Sequence, residues 1–168
     1  MHKNRLFFVI ILLTLCLGGI SAATVTISVV QNEQAPEVAL EISRTVENEI
    51  MMQFFDAGHI VSNEPIKSNG NRFPEKNYGL KDAALGYSDY LVVVFLQYGV
   101  NKIESSDKKS TYAELKSVNW RLVRVRNAEI ITEKKLEIQA GQKNNFDPYK
   151  NAKTLAKQIT VDLLKYCK

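Results

Sequence analysis

The sequence predicts an α/β (α+β) fold: a single domain whose mixed β-sheet follows the order β-α-β-(α)-β-β-β-α, with helices packed on the sheet. Three observations carry this. The run YLVVVFLQY at residues 90–98 is apolar on both alternating faces, Val92, Val94 and Leu96 against Leu91, Val93 and Phe95. Only a central strand covered from both sides reads that way. Ahead of it, Val38, Ile42, Val46, Ile50 and Phe54 recur every four residues, a helical period. Behind it, residues 118–138 alternate, turn and alternate again, which predicts a hairpin. Crossover units come first and a meander last, so the sheet is mixed.

The amino terminus reads as an export signal. His2, Lys3 and Arg5 precede an apolar run over residues 6–17, and Ser21-Ala22-Ala23 supplies the small residues of a cleavage site. Residues 1–23 are therefore expected to be a signal peptide cut near Ala23, leaving residues 24–168 as one periplasmic or secreted domain. About a dozen apolar residues fall short of the roughly 20 a spanning helix needs, so no permanent transmembrane anchor is expected. Lipidation at Cys16 is the weaker alternative: Leu15 is bulky where a lipobox has a small residue.

The chain has 168 residues, 45% hydrophobic and 24% charged, which excludes a disordered or fibrous protein. Lys and Arg number 22 against 18 Asp and Glu. Residues 1–23 hold two of those bases and no acid, so the domain carries 20 against 18, and its basicity does not call for a nucleic-acid partner. Charge is uneven: residues 24–65 hold seven acids and one base, Arg44. Without residues 1–23 the one cysteine is Cys167, so no internal disulfide forms. Cys167 reads as an incidental residue at a fraying end, with an intermolecular disulfide as the alternative.

Taken in order, residues 24–31 (TVTISVVQ) form the first strand, with Val25, Ile27 and Val29 on one face. Pro36 opens a helix of about 22 residues that Gly58 closes. Its end, Ile50, Met51, Met52, Phe54 and Phe55, is apolar all round, so it is either covered by another element or a docking patch. His59-Ile60-Val61 begins a second strand. Residues 62–78, with Pro65, Gly70, Pro74 and four Asn, read as an exposed loop able to carry binding through Arg72 and Phe73. Leu80, Ala83, Ala84 and Leu85 give a short helix before the central strand. Residues 101–110 read as a charged loop. A phase shift near Leu122-Val123 predicts a β-bulge, Asn127-Ala128 a turn, and residues 130–138 the returning strand. Asp147-Pro148 starts the last helix, with its stripe at Ala152, Leu155, Ile159, Leu163 and Tyr166.

Catalytic chemistry is thinly supplied. His59 is the single histidine beyond the leader, which excludes a two-His zinc site. A Cys167–His59 dyad would need two distant segments to meet. Ser105-Ser106-Asp107-Lys108-Lys109 matches S-x-x-K twice, but in a polar loop and without partner motifs. Glu37, Glu41, Glu47 and Glu49 read as a solvated helix face. No enzyme activity and no cofactor is expected.

Three stretches resemble a family of bacterial envelope domains. They are FFDAGHIVSNEP at residues 54–65, LGYSDYLVVVFLQYG at 85–99 and WRLVRVRNAEIITEKKLEI at 120–138. The family comprises the amino-terminal domain of TolB, the activator lipoproteins of penicillin-binding proteins and the periplasmic part of the curli secretion channel subunit. This chain departs from it in carrying Asn127-Ala128 where the family prefers a glycine, and in lacking a clean lipobox. The resemblance implies a non-enzymatic role, docking other envelope proteins in accessory or assembly work. The residues expected to hold such a partner are Arg121, Arg124 and Arg126, in a basic patch with Lys134 and Lys135, together with Met51, Phe55, Arg72 and Phe73. The alternative function is a small apolar-ligand carrier or sensor, with a pocket between Met51, Phe55 and the sheet.

Overall fold

The computed structural model describes residues 22–104, 111–138 and 147–167, residues 101 and 103 by backbone alone. Residues 1–21, with Cys16, and the segment with Ser105-Ser106 lie outside the described residues. The chain runs β1 (Thr24–Gln31), α1 (Ala39–Asp56), β2 (Ile60–Asn63), β3 (Lys67–Ser68), α2 (Leu80–Leu85), β4 (Tyr90–Glu104) and β5 (Thr111–Arg124). A 3-10 turn over Val125–Asn127 leads to β6 (Glu129–Glu137) and α3 (Pro148–Leu164). The strands form one sheet in the order β2-β1-β4-β5-β6, with β3 pairing to β1 beyond the end of β2. β1 is parallel to β2, β3 and β4, whereas β4, β5 and β6 are antiparallel. The mixed sheet with a closing meander is the architecture read from the sequence.

Strand alternation sorts the side chains into two cores. Val25, Ile27 and Val29 of β1, Val92, Val94 and Leu96 of β4, and Val118, Trp120 and Leu122 of β5 face α1 and α3. Those helices contribute Ile42, Val46, Ile50 and Phe54, and Ala152, Leu155, Ile159 and Leu163. On the opposite face Leu91, Val93 and Val123 pack against Ala83 of α2, with Phe73, Tyr78 and Ile130 around them. The placement of the helices follows from chain direction. The crossover from β1 to β2 moves outward and the next, to β4, moves back across β1, so right-handed connections put α1 and α2 on opposite faces.

Several boundaries differ from the sequence reading. α1 starts at Ala39 instead of Pro36, because the Pro36 carbonyl accepts from the Ala39 amide in a turn ahead of the helix. It still stops at Gly58, in the left-handed region at φ 88°. The loop over residues 62–78 contains β3 and is pinned just after it, where the Asn69 amide donates to the Gln31 carbonyl at 2.9 Å. β4 runs into the expected loop as far as Glu104 and β5 starts at Thr111, so the two make a longer arm, with Lys102 opposite Ala113 and Glu104 opposite Thr111. The predicted bulge is present, since the β5–β6 register shifts between Leu122 and Val123. Asp147 caps α3 by accepting from the Tyr149 and Lys150 amides, but Tyr166 lies beyond the helix end and is exposed.

Two expectations about polar groups are corrected. Glu47 and Glu49 are buried, not on a solvated face, because α1 is flanked by β2 on one side and α3 on the other. Glu49 meets Lys157 of α3 at 3.7 Å, and Glu47 receives a hydrogen bond from Asn63 of β2. Cys167 does not fray: it is buried in the larger core. That burial pushes its thiol from 9.0 up to about 12.

Candidate functional site

At one end of the sheet β1, β2 and β4 begin and β5 finishes, since Thr24 pairs with Ile60, Val25 with Tyr90, and Tyr90 with Arg124. The crossover geometry delivers the end of α1 here, because a helix linking parallel strands must run back along them. A compact polar frame holds this end together. Thr26 Oγ1 lies 3.0 Å from Ser62 Oγ and 2.7 Å from Ser88 Oγ. The Thr24 amide donates to Asp89 Oδ2 at 2.8 Å, and the Asp89 amide donates to the Thr24 carbonyl. The Asp89 carbonyl accepts from the Val125 amide, which anchors the hairpin turn.

Around that frame several large apolar side chains are exposed. Met52 and Phe55, one helical turn apart, point outward from α1, with Phe55 71% exposed. Ile60 stands on the rim strand β2, and Leu85 and the 90%-exposed Tyr87 follow from α2. Tyr87 adopts a left-handed conformation at φ 54°, which costs an L-residue about 1 kcal/mol. Its neighbour Ser88 is tied to Thr26, and the Ser88 amide to the Ala83 carbonyl, so the strain is held in place while the ring faces solvent. Five of the large apolar side chains exposed among the described residues therefore lie toward this end of the domain.

The expected partner-binding residues are distributed unevenly with respect to this end. Phe55 belongs to it. Arg124 and Arg126 border it at the hairpin turn; Arg124 is ion-paired to Glu129 and Arg126 is exposed. Met51 is half-buried and packs against the core. With Phe55 on the solvent side of α1, those two do not face each other across a space under the helix, so the apolar pocket expected between them and the sheet is not formed by them. Lys134 and Lys135 pair with Asp162 and Glu137, at 2.7 and 2.5 Å, which breaks up the expected basic patch.

Arg121 is not a surface cation. It is 4% exposed and reaches over the sheet to the loop that follows β3. Nε donates to Glu133 at 2.7 Å, Nη1 to the Glu75 carbonyl at 2.9 Å and Nη2 to the Pro74 carbonyl at 3.2 Å. Phe73 lies beneath the guanidinium and against Phe95, with ring centroids 6.4 Å apart. The loop bearing exposed Arg72 is therefore clamped to the sheet, and residues 69–78 line a shallow depression.

The remaining chemical groups are engaged structurally. His59 is buried with its ring against Phe54, centroids 5.8 Å apart, and its Nδ1 accepts from the Ala23 amide at 3.3 Å. The protonated Cys167 thiol sits in the core among apolar side chains. No group of three His, Cys, Asp or Glu side chains is placed to hold a metal ion among the described residues. No helix among them is long and apolar enough to cross a membrane. Ile60, Leu85, Tyr87 and Asp89 were missed from sequence as parts of this end. The Leu85-Gly86-Tyr87 turn between helix and strand was the available signal, because two large apolar residues flanking a helix-ending glycine have no face to bury.

This fold is similar to that of a solved bacterial protein. A point variant of the PelC dodecamer from Paraburkholderia phytofirmans shares it, with a TM-score of 0.53 at 11% identity over 83% of this chain and 87% of that one. Lipoprotein GNA1162 from Neisseria meningitidis aligns at a TM-score of 0.45, 14% identity, over 85% and 99%. TolB from Acinetobacter baumannii aligns at 0.42, 13% identity, over 83% of this chain and 27% of that one. At 11% identity the likeness to PelC is one of fold. No sequence among curated proteins matches this one. A family model described as "Uncharacterised protein" matches residues 24–168, and the chain belongs to that family.

Proposed function

We propose that this chain is a non-catalytic interaction module of the bacterial cell envelope, exported through residues 1–23 and docking another envelope protein with the apolar end of its sheet. The observation that carries the reading is the outward set Met52, Phe55, Ile60, Leu85 and Tyr87 on a rigid polar frame. A pre-formed apolar surface of this kind loses little ordering entropy on association. The engagement of His59 and Cys167 in packing supports a role without covalent chemistry. The fold shared with PelC, a dodecamer, supports a scaffold that works in assemblies. Of the residues expected from sequence, Phe55 and Arg126 belong to the proposed contact.

Photo-crosslinking in cells tests this. A photoreactive residue at position 55 or 87 is expected to give discrete adducts with one envelope protein, lost when Ile60→Asp is added. The same residue at position 135, on β6 away from this end, is expected to give none. Adducts from position 135 alone, or the same yield from all three positions, would overturn the reading.

A further inference from the structure

Just ahead of β1, the sequence offers two bonds to a processing peptidase. Cutting after Ala22 leaves Ile20 three positions back; cutting after Ala23 leaves Ser21 there, the small-x-small pattern such enzymes read. The fold separates the two products more sharply than the sequence does. A chain starting at Ala23 would place its new ammonium on a residue 4% exposed, facing the His59 imidazole nitrogen at 3.3 Å. Imidazole can accept a hydrogen bond from an ammonium but is no counter-charge for it. A chain starting at Thr24 would place the ammonium on a half-exposed residue, 2.8 Å from Asp89 Oδ2.

We propose that the chain is hydrolysed between Ala23 and Thr24 and that the Asp89 carboxylate receives the α-ammonium so created. The inference rests on the export reading above and deepens it to a bond and an acceptor. Water adds its oxygen to the Ala23 carbonyl carbon, the C–N bond breaks, and the Thr24 nitrogen leaves protonated; nothing is oxidised or reduced. The amide–carboxylate hydrogen bond thereby becomes an ammonium–carboxylate pair, the stronger kind. Asp89 is held ready for it, with its own amide on the Thr24 carbonyl at 2.8 Å and its carbonyl on the Val125 amide at 2.9 Å. Cleavage precedes folding, because in the folded chain Ala23 is buried and its carbonyl accepts from the Ile60 amide at 3.0 Å. The family match beginning at residue 24 agrees with this boundary.

The test is the N-terminus of the exported protein, read by intact mass and N-terminal sequencing after expression of the full chain in a bacterium. Thr24 as first residue is expected. A first residue of Ala23, or an acylated Cys16, overturns the proposal and leaves the export reading standing; an uncut chain starting at Met1 sinks both. Asp89→Asn in the processed protein is then expected to lower Tm by about 2–4 °C. Most of that loss is expected to disappear when the α-amine is first selectively acetylated. Equal losses with free and acetylated amine would reduce Asp89 to a backbone acceptor and overturn the pairing.

Discussion

The Arg121 guanidinium lies 4.5 Å above the centroid of the Phe73 ring, so a central strand holds down a loop that enters the fold on the far side of β1. The clamp combines a cation over a ring with two carbonyl acceptors and one carboxylate. Replacing Arg121 by Met leaves the buried Pro74 carbonyl and the part-buried Glu75 carbonyl without this donor, at a cost of about 2–3 kcal/mol. Thermal unfolding is expected to show that loss, and limited proteolysis to open a new cut within residues 69–78. Glu133 is 43% exposed but its partner is buried, so Glu133→Ala, which leaves the Arg121 Nε without this acceptor, is expected to cost about 1–3 kcal/mol. A protease-resistant Arg121→Met protein would show that the loop holds itself.

Phe54 and Phe55 are adjacent in α1 and opposite in fate, the first fully buried and the second 71% exposed. Phe54→Ala is expected to destabilise by about 3–5 kcal/mol through the cavity it opens. Phe55→Ala is expected to change stability by less than about 0.5 kcal/mol while removing the crosslinks from position 87. Denaturant unfolding of the two variants separates the core from the contact.

Ala128 ends the 3-10 turn in the left-handed region at φ 56°, where the resembling family prefers a glycine. Relief of that conformation exceeds glycine's entropic cost, so Ala128→Gly is expected to stabilise by about 0.5–1 kcal/mol. A Tm unchanged or lowered would place the left-handed residue elsewhere in the turn.

Burial raises the Glu47 carboxyl above its ordinary value of 4.5, opposed by the hydrogen bond from Asn63 and the charge of Arg44, and Oε1 is buried without a partner. A folded-state pKa raised in this way contributes stability below the unfolded value that is lost as pH rises through the folded one. Glu47→Gln is therefore expected to be more stable than wild type at pH 7, with the difference vanishing below about pH 4. Thermal melts across that range check both sign and window.

The Cys167 thiol follows the same sign at the alkaline end. It is expected to resist iodoacetamide in the native protein at about pH 8, below even the ordinary thiol value, and to react on unfolding, with no disulfide-linked dimer on a non-reducing gel. Stability from this group is lost between pH 9.0 and about 12, so Cys167→Ala is expected to show a shallower decline over that window.

What was legible in the sequence is what periodicity records. The doubly apolar β4, the α1 stripe, the bulge at Leu122-Val123 and the Asp147 cap each follow from neighbours within one element. The rest depends on which distant segment arrives. Arg121 occupies an alternating strand position like Arg124, and only the return of Pro74 and Glu75 over it makes it a buried clamp. Glu47 reads as helix surface until β2 docks alongside. β3 has two residues, too few for any pattern. The apolar end was half visible in Met52 and Phe55, but Ile60, Leu85 and Tyr87 join it through pairing registers that no local pattern encodes.

The outer strands of the sheet among the described residues are unlike each other and equally poor templates. β2 stops after four residues before Pro65, and β6 carries Glu133, Lys134, Lys135 and Glu137 in close succession. Short rims and dense alternating charge both disfavour edge-to-edge stacking of copies into fibrils. Rims guarded in this way leave any association of copies to surfaces other than the strand edges.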